Sequence, residues 1–205
     1  MAKLNHNRHY SGKLFIPFLY QSDTMRELDG PELYQALEYA KSLDAEEVSE
    51  IIERFQLDQA ALSQAVFNIF PAVLAEQNED MSHLFLTLCF DVLCVFQKAF
   101  GPLPSQEGMD FDWLEKQAML LEAELQSLIN ERDMDEKIRA RLQDRFLQRS
   151  AQGSPQPGLV RYLNQATEDF AEESPGRAPA IRVTQTMIFI VVQLFTNFYS
   201  HTPKR

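Results

Sequence analysis

Residues 81–100 read MSHLFLTLCFDVLCVFQKAF, and 14 of these 20 residues are apolar. The main polar positions are His83, Thr87 and Asp91, spaced by four. Four-residue spacing places them on one face of a helix. The pattern therefore predicts a helix buried around most of its circumference. Gly101-Pro102-Leu103-Pro104 supplies the stop. Residues 181–199 form the second segment of this kind. Its core, Met187-Ile188-Phe189-Ile190-Val191-Val192, would suit a strand on propensity alone. The polar positions Gln193, Thr196, Asn197 and Ser200 fit helical spacing better. Both segments are expected at the centre of the fold, with Phe189 and Phe195 buried.

The flanking segments carry helix signals of their own. Pro31 after Asp29-Gly30 suits a first helical turn, where a missing N–H costs nothing. Leu33, Leu37 and Ala40 follow at helical spacing. Asp44 with Glu47 is a capping-box start, and Val48, Ile51, Ile52 and Phe55 form one apolar face. Asp58 is expected to cap a third helix with Leu62, Val66, Ile69 and Phe70 inward, kinked or ended by Pro71, with Ala72–Gln77 as a possible continuation. Residues 111–130 and 134–149 carry leucine-rich seams and should pair as an antiparallel hairpin. A helix over 159–172 precedes Ser174-Pro175-Gly176. The sum is an all-α, single-domain bundle of about seven helices. Residues 1–22 read as a flexible or docked arm, and residues 23–205 as the helical domain.

Composition narrows the function classes. The chain has 205 residues and a net charge of −11, with only 7 Gly and 2 Cys. Cys89 and Cys94 on one helix would lie roughly 8 Å apart, beyond bridging distance, and read as buried thiols in a reducing compartment. Together with the lack of a signal-like apolar run, this predicts a cytoplasmic protein. The longest continuous apolar run near the C-terminus is six residues. A transmembrane span needs about 20, so none is expected. Neither a P-loop nor GxGxxG nor GxSxG occurs. No cofactor, metal site or catalytic residue is assigned: His83 is the one core histidine, without a second Glu-x-x-His partner. Residues 59–70, the recognition helix of a helix-turn-helix reading, contain no Lys or Arg, which argues against DNA. Glu79-Asp80-Met81-Ser82-His83-Leu84 lacks the proline and the spacing of the Glu-Pro-x-Asp-His motif of chaperones for redox-enzyme maturation. The sequence is assigned to no family on it.

Two charge patterns remain as candidate partner-binding features. His83, Thr87 and Asp91 could line a groove or simply form a wet helix face. Lys137, Arg141, Arg145 and Arg149 form a basic row at four-residue spacing in a chain whose residues 21–135 hold 24 acids against 6 bases. That row either complements acidic neighbours or receives an acidic peptide, phosphate or RNA. The expected function is that of a non-catalytic protein-binding helical protein: a chaperone, adaptor, immunity or assembly factor. Its partner would be another protein, with room left for a homodimer. The alternatives are an enzyme with a carboxylate/His83 pocket and an RNA or acidic-ligand binder using residues 137–149.

Overall fold

A computed structural model of the chain describes residues 25–104, 113 and 156–200. The N-terminal arm and the 111–130/134–149 hairpin, with its basic row Lys137, Arg141, Arg145 and Arg149, fall outside the described residues, Trp113 excepted. Within them 86% of residues are helical and no strand occurs. The all-α expectation holds, and the strand-like run 187–192 is helical.

Six helices carry the described part: α1 Gly30–Ser42, α2 Ala45–Asp58, α3 Ala60–Ala75, α4 Glu79–Phe100, α5 Pro157–Glu172 and α6 Ile181–Ser200. Local chemistry fixes several starts. The Asp29 carboxylate accepts from the Glu32 N–H at 2.8 Å, and Glu32 accepts in return from the Asp29 N–H at 3.2 Å. Asp44 and Glu47 repeat the reciprocal cap on α2. Each such cap satisfies N–H groups that a helix start otherwise leaves orphaned. Asn78 caps α4 by accepting from the Met81 N–H at 2.9 Å. Gly101, at φ +91°, ends α4 in a backbone region that side chains disfavour.

Two expectations about α3 are corrected. Asp58 does not cap it, because α2 runs through Asp58, leaving only Gln59 between the helices. Gln59 is buried, its N–H donates to the Phe55 carbonyl, and its side chain donates to the Pro104 carbonyl. Ile69, expected inward, points outward at 52% exposure, while the helix continues past Pro71 to Ala75, the continuation that the sequence left open. Residues Ala65–Ile69 form a wider π-type turn, with the Phe70 N–H donating to the Ala65 carbonyl. One additional residue in that turn rotates the following face outward. Leu62, Val66, Pro71 and Leu74 then face the core, and Ile69 with Val73 faces solvent. Loosened hydrogen bonding also accommodates a proline ring that would strike a regular turn.

The core is aromatic. Phe55 of α2, Phe96 of α4 and Phe195 of α6 are each fully buried. Their rings meet at 5.8 Å (Phe55–Phe195) and 5.4 Å (Phe96–Phe195). Phe67, Phe100 and Tyr199 extend the cluster. Burial of each large side chain is worth roughly 1.5–3 kcal/mol. Helices α4 and α6 pack against each other at the centre, as the apolar segments predict, and Phe189 is buried as expected. Both segments are long and apolar enough to cross a membrane by length and composition. Much of each is instead buried within the fold, including Phe85, Leu93 and Phe96 of α4 and Val191, Phe195 and Phe198 of α6.

Polar clasps tie distant segments together. Gln156, at the start of α5, accepts from the Leu28 N–H at 3.0 Å and donates to the Arg26 carbonyl at 2.8 Å. This fastens residues 25–29 across the end of the bundle. Arg177, in the 3-10 turn Pro175–Ala180, donates twice to Asp80 (3.0 and 3.1 Å), and also to Glu173 and to the Phe170 carbonyl. Its guanidinium lies 3.8 Å from the Phe170 ring centre. It therefore links the start of α4, the end of α5 and the entry to α6.

Candidate functional site

The polar face of α4 is present, but its three members differ. His83 and Thr87 are exposed, and Asp91 is half-buried. The Thr87 hydroxyl donates to the His83 carbonyl at 3.3 Å and so serves the helix backbone. His83 and Asp91 lie two turns apart, roughly 12 Å along the axis. The structure sets them on one face without making them a reacting pair. Among the described residues no group of three or more His, Cys, Asp or Glu could hold a metal ion.

Asp91 has the more distinctive surroundings. Burial raises its carboxyl from the ordinary 3.8 to about 6, against a smaller opposing pull from the Lys41 ammonium of α1. Lys41 lies 5.9 Å from the Tyr162 ring centre and 3.6 Å from a Glu38 oxygen. Its own pKa is raised, first by Tyr162. The buried thiols Cys89 and Cys94 are both pushed up, first by desolvation and then by the Asp91 charge, Cys94 to about 12. Thiols held so far from ionisation are poor nucleophiles. They read as core residues, as the sequence suggested.

A cleft lies elsewhere, and sequence reading did not find it. Helix α1 packs along α4. Helix α2 is anchored chiefly through Phe55, its one fully buried residue, while Val48, Ile51 and Ile52 are only half-buried. The gap between α1, the second half of α2 and the end of α4 is a half-open cavity of about 610 Å³. Pro102 and Leu103 give it an apolar lining, next to the fully buried Phe55. Tyr39 and Gln97 also line it, and Arg54, Asp58 and Lys98 supply the charge. Two contacts hold the Gly101–Pro104 loop against it: the Gln59 amide on the Pro104 carbonyl, and the Tyr199 hydroxyl on the Gly101 carbonyl at 2.8 Å.

Lys98 is the pivot of this surface. Its ammonium lies 4.7 Å from the Tyr39 ring centre and forms no ion pair with a carboxylate among the described residues. It also borders a second, smaller cavity of about 180 Å³ with Arg26, Glu32 and Gln35. Residues 25–104 contain 14 acids and four bases, Arg26, Lys41, Arg54 and Lys98. Three of the four line these adjoining cavities. That sparse distribution of bases was the one signal visible in sequence. It meant nothing without the geometry that gathers residues 26, 54 and 98.

No protein-family model, curated protein or solved structure matches this chain.

Proposed function

We propose that this chain is a non-catalytic helical protein that binds another protein, of the chaperone, adaptor, immunity or assembly-factor kind. The cleft between α1, α2 and the end of α4 receives a segment of that partner. One observation carries the reading. A half-open cavity of about 610 Å³ joins an apolar lining at Pro102 and Leu103 to an aromatic–cation pair, Tyr39 and Lys98. Its size is within the roughly 300–1,000 Å³ of ligand-binding pockets. Small-molecule sites usually enclose most of their ligand. A half-open trough suits a chain segment that lies across it and inserts one or two side chains. Aromatic residues and arginines are also the commonest anchors of protein interfaces.

The alternative of an enzyme built around His83 gains less support. The imidazole is exposed, and no nucleophile or carboxylate side chain is hydrogen-bonded to it among the described residues. The reading through the basic row rests on Lys137, Arg141, Arg145 and Arg149, which lie outside the described residues.

The test is co-purification of the full chain with its partner from the cells that make it. The wild-type protein should retain a defined partner. Tyr39 is half-exposed, so Tyr39→Glu should leave the melting temperature within about a degree or two, since surface substitutions usually change stability little. It should nevertheless lose the partner. A well-folded Tyr39→Glu protein that still retains its partner would refute the cleft as the binding site.

A further inference from the structure

We infer that the partner segment seated in this cleft is acidic: a carboxylate of it pairs with Lys98, with Arg54 nearby, while an adjacent apolar side chain sits against Pro102 and Leu103. The inference rests on the protein-binding reading above and specifies the chemistry of the occupant.

Charge complementarity selects that occupant. This part of the chain is overwhelmingly acidic, so a negative segment should be repelled from nearly all of its surface. The cleft is the exception, because Arg54 and Lys98 border it and Arg26 borders the cavity beside it. Two carboxylates share this lining, Glu32 and Asp58, and both already have partners. Glu32 accepts from Arg26 at 2.6 Å and from the Asp29 N–H. Asp58 faces Arg54 at 3.9 Å, one helical turn away on α2. Among the described residues Lys98 has only the face of the Tyr39 ring.

Its position adds to this. Lys98 is in the last turn of α4, where the helix dipole favours a cation. Truncating Lys98 would therefore cost the fold something, yet the ammonium meets no carboxylate among the described residues. Apolar lining lies next to it at Leu103 and Pro102. An acidic residue beside a large apolar residue would satisfy both halves of the cleft. A neutral apolar segment would leave Lys98 beside a desolvated surface without compensation, and a basic segment would meet Lys98 and Arg54 head on. Such complementarity governs association rate and partner choice, and it weakens with salt.

The experiment uses the full chain and three fluorescein-labelled probes. One is an end-blocked peptide Asp-Phe-Glu-Leu-Asp, the second is Lys-Phe-Lys-Leu-Lys, and the third is a short single-stranded oligonucleotide. Fluorescence anisotropy should show the acidic peptide binding at least tenfold more tightly than the basic one. Affinity should fall at 0.5 M NaCl, and Lys98→Glu with Arg54→Glu should lower it at least tenfold further. Lys98→Gln, the milder variant, should give an intermediate loss and guards against misfolding of the double variant. Equal binding of the two peptides, no binding of either, or unchanged affinity in Lys98→Gln and the double variant would overturn the inference. So would tighter binding of the oligonucleotide, which would make this a nucleic-acid surface. The two readings fail separately: if Tyr39→Glu releases the co-purified partner but Lys98→Glu does not, the cleft binds protein and its acidic preference is wrong.

Discussion

Replacing Phe195 by alanine should lower the stability of the protein by about 3–5 kcal/mol, the usual range for a fully buried phenylalanine. Phe195 has no exposed surface, and its ring contacts both Phe55 and Phe96. It thus joins α2, α4 and α6, and truncation opens a cavity where three helices meet. For a domain of this size, each kcal/mol moves the melting temperature by roughly 2–4 °C. A fall on the order of 10 °C is therefore expected in thermal or chemical denaturation. The loss should not depend on protein concentration, because the ring packs within the chain's own core. An unchanged melting temperature would contradict the packing. A concentration-dependent loss would move Phe195 to a subunit interface.

Asp91→Asn should stabilise the protein at pH 7.5 by about 2 kcal/mol and change little near pH 4. Burial raises the Asp91 carboxyl to about 6, above its unfolded value of 3.8. Between those values the folded state holds a proton that the unfolded state has released. The Asp91 contribution to stability therefore falls as pH rises from about 4 to about 6, and above 6 the full cost of an ionised, desolvated carboxylate remains. A tenfold change in a protonation equilibrium corresponds to about 1.4 kcal/mol. The rise from 3.8 to about 6 therefore sets a ceiling of about 3 kcal/mol. The residue is half-buried and Lys41 lies nearby, so the lower figure is expected. Comparing the two proteins at each pH cancels the titration of the other acids. Urea midpoints that differ equally at both pH values would sink this account of Asp91, as would an asparagine variant less stable at pH 7.5.

Phe195 and Asp91 show which parts of the fold could be read in advance. The apolar arc that buries Phe195 was legible because a 20-residue stretch repeats with helical period. The cap at Asp44 was legible because its chemistry is local, with its partner Glu47 three residues on, whereas the same box at Asp29 and Glu32 was passed over for the Pro31 signal beside it. Asp58 failed as a cap because α2 kept its hydrogen bonds one residue longer than the pattern indicated. Ile69 failed as a core residue because a π-type turn changed the helical phase, and no periodicity count reveals such a turn. Asp91 was correctly placed on the polar face of its helix. The Lys41 ammonium that acts on its charge is fifty residues away on another helix, and that proximity follows from packing alone. The cleft was illegible for the same reason: Arg26, Arg54 and Lys98 are scattered among 14 acids, and only the tertiary fold brings them to two adjoining cavities.

The most direct test of the account is a cross-link from inside the cleft. A photoreactive phenylalanine analogue would replace Tyr39 in one full-length chain and Tyr34 in another. Both positions are on α1, but Tyr34 is 63% exposed and outside the cleft. After irradiation in the cells that make the protein, position 39 should give one defined cross-linked partner and position 34 little or none. That product should diminish when the acidic peptide is added to lysed cells before irradiation. Equal cross-linking from both positions, or none from position 39, would contradict the claim that this cleft is where the chain binds another protein.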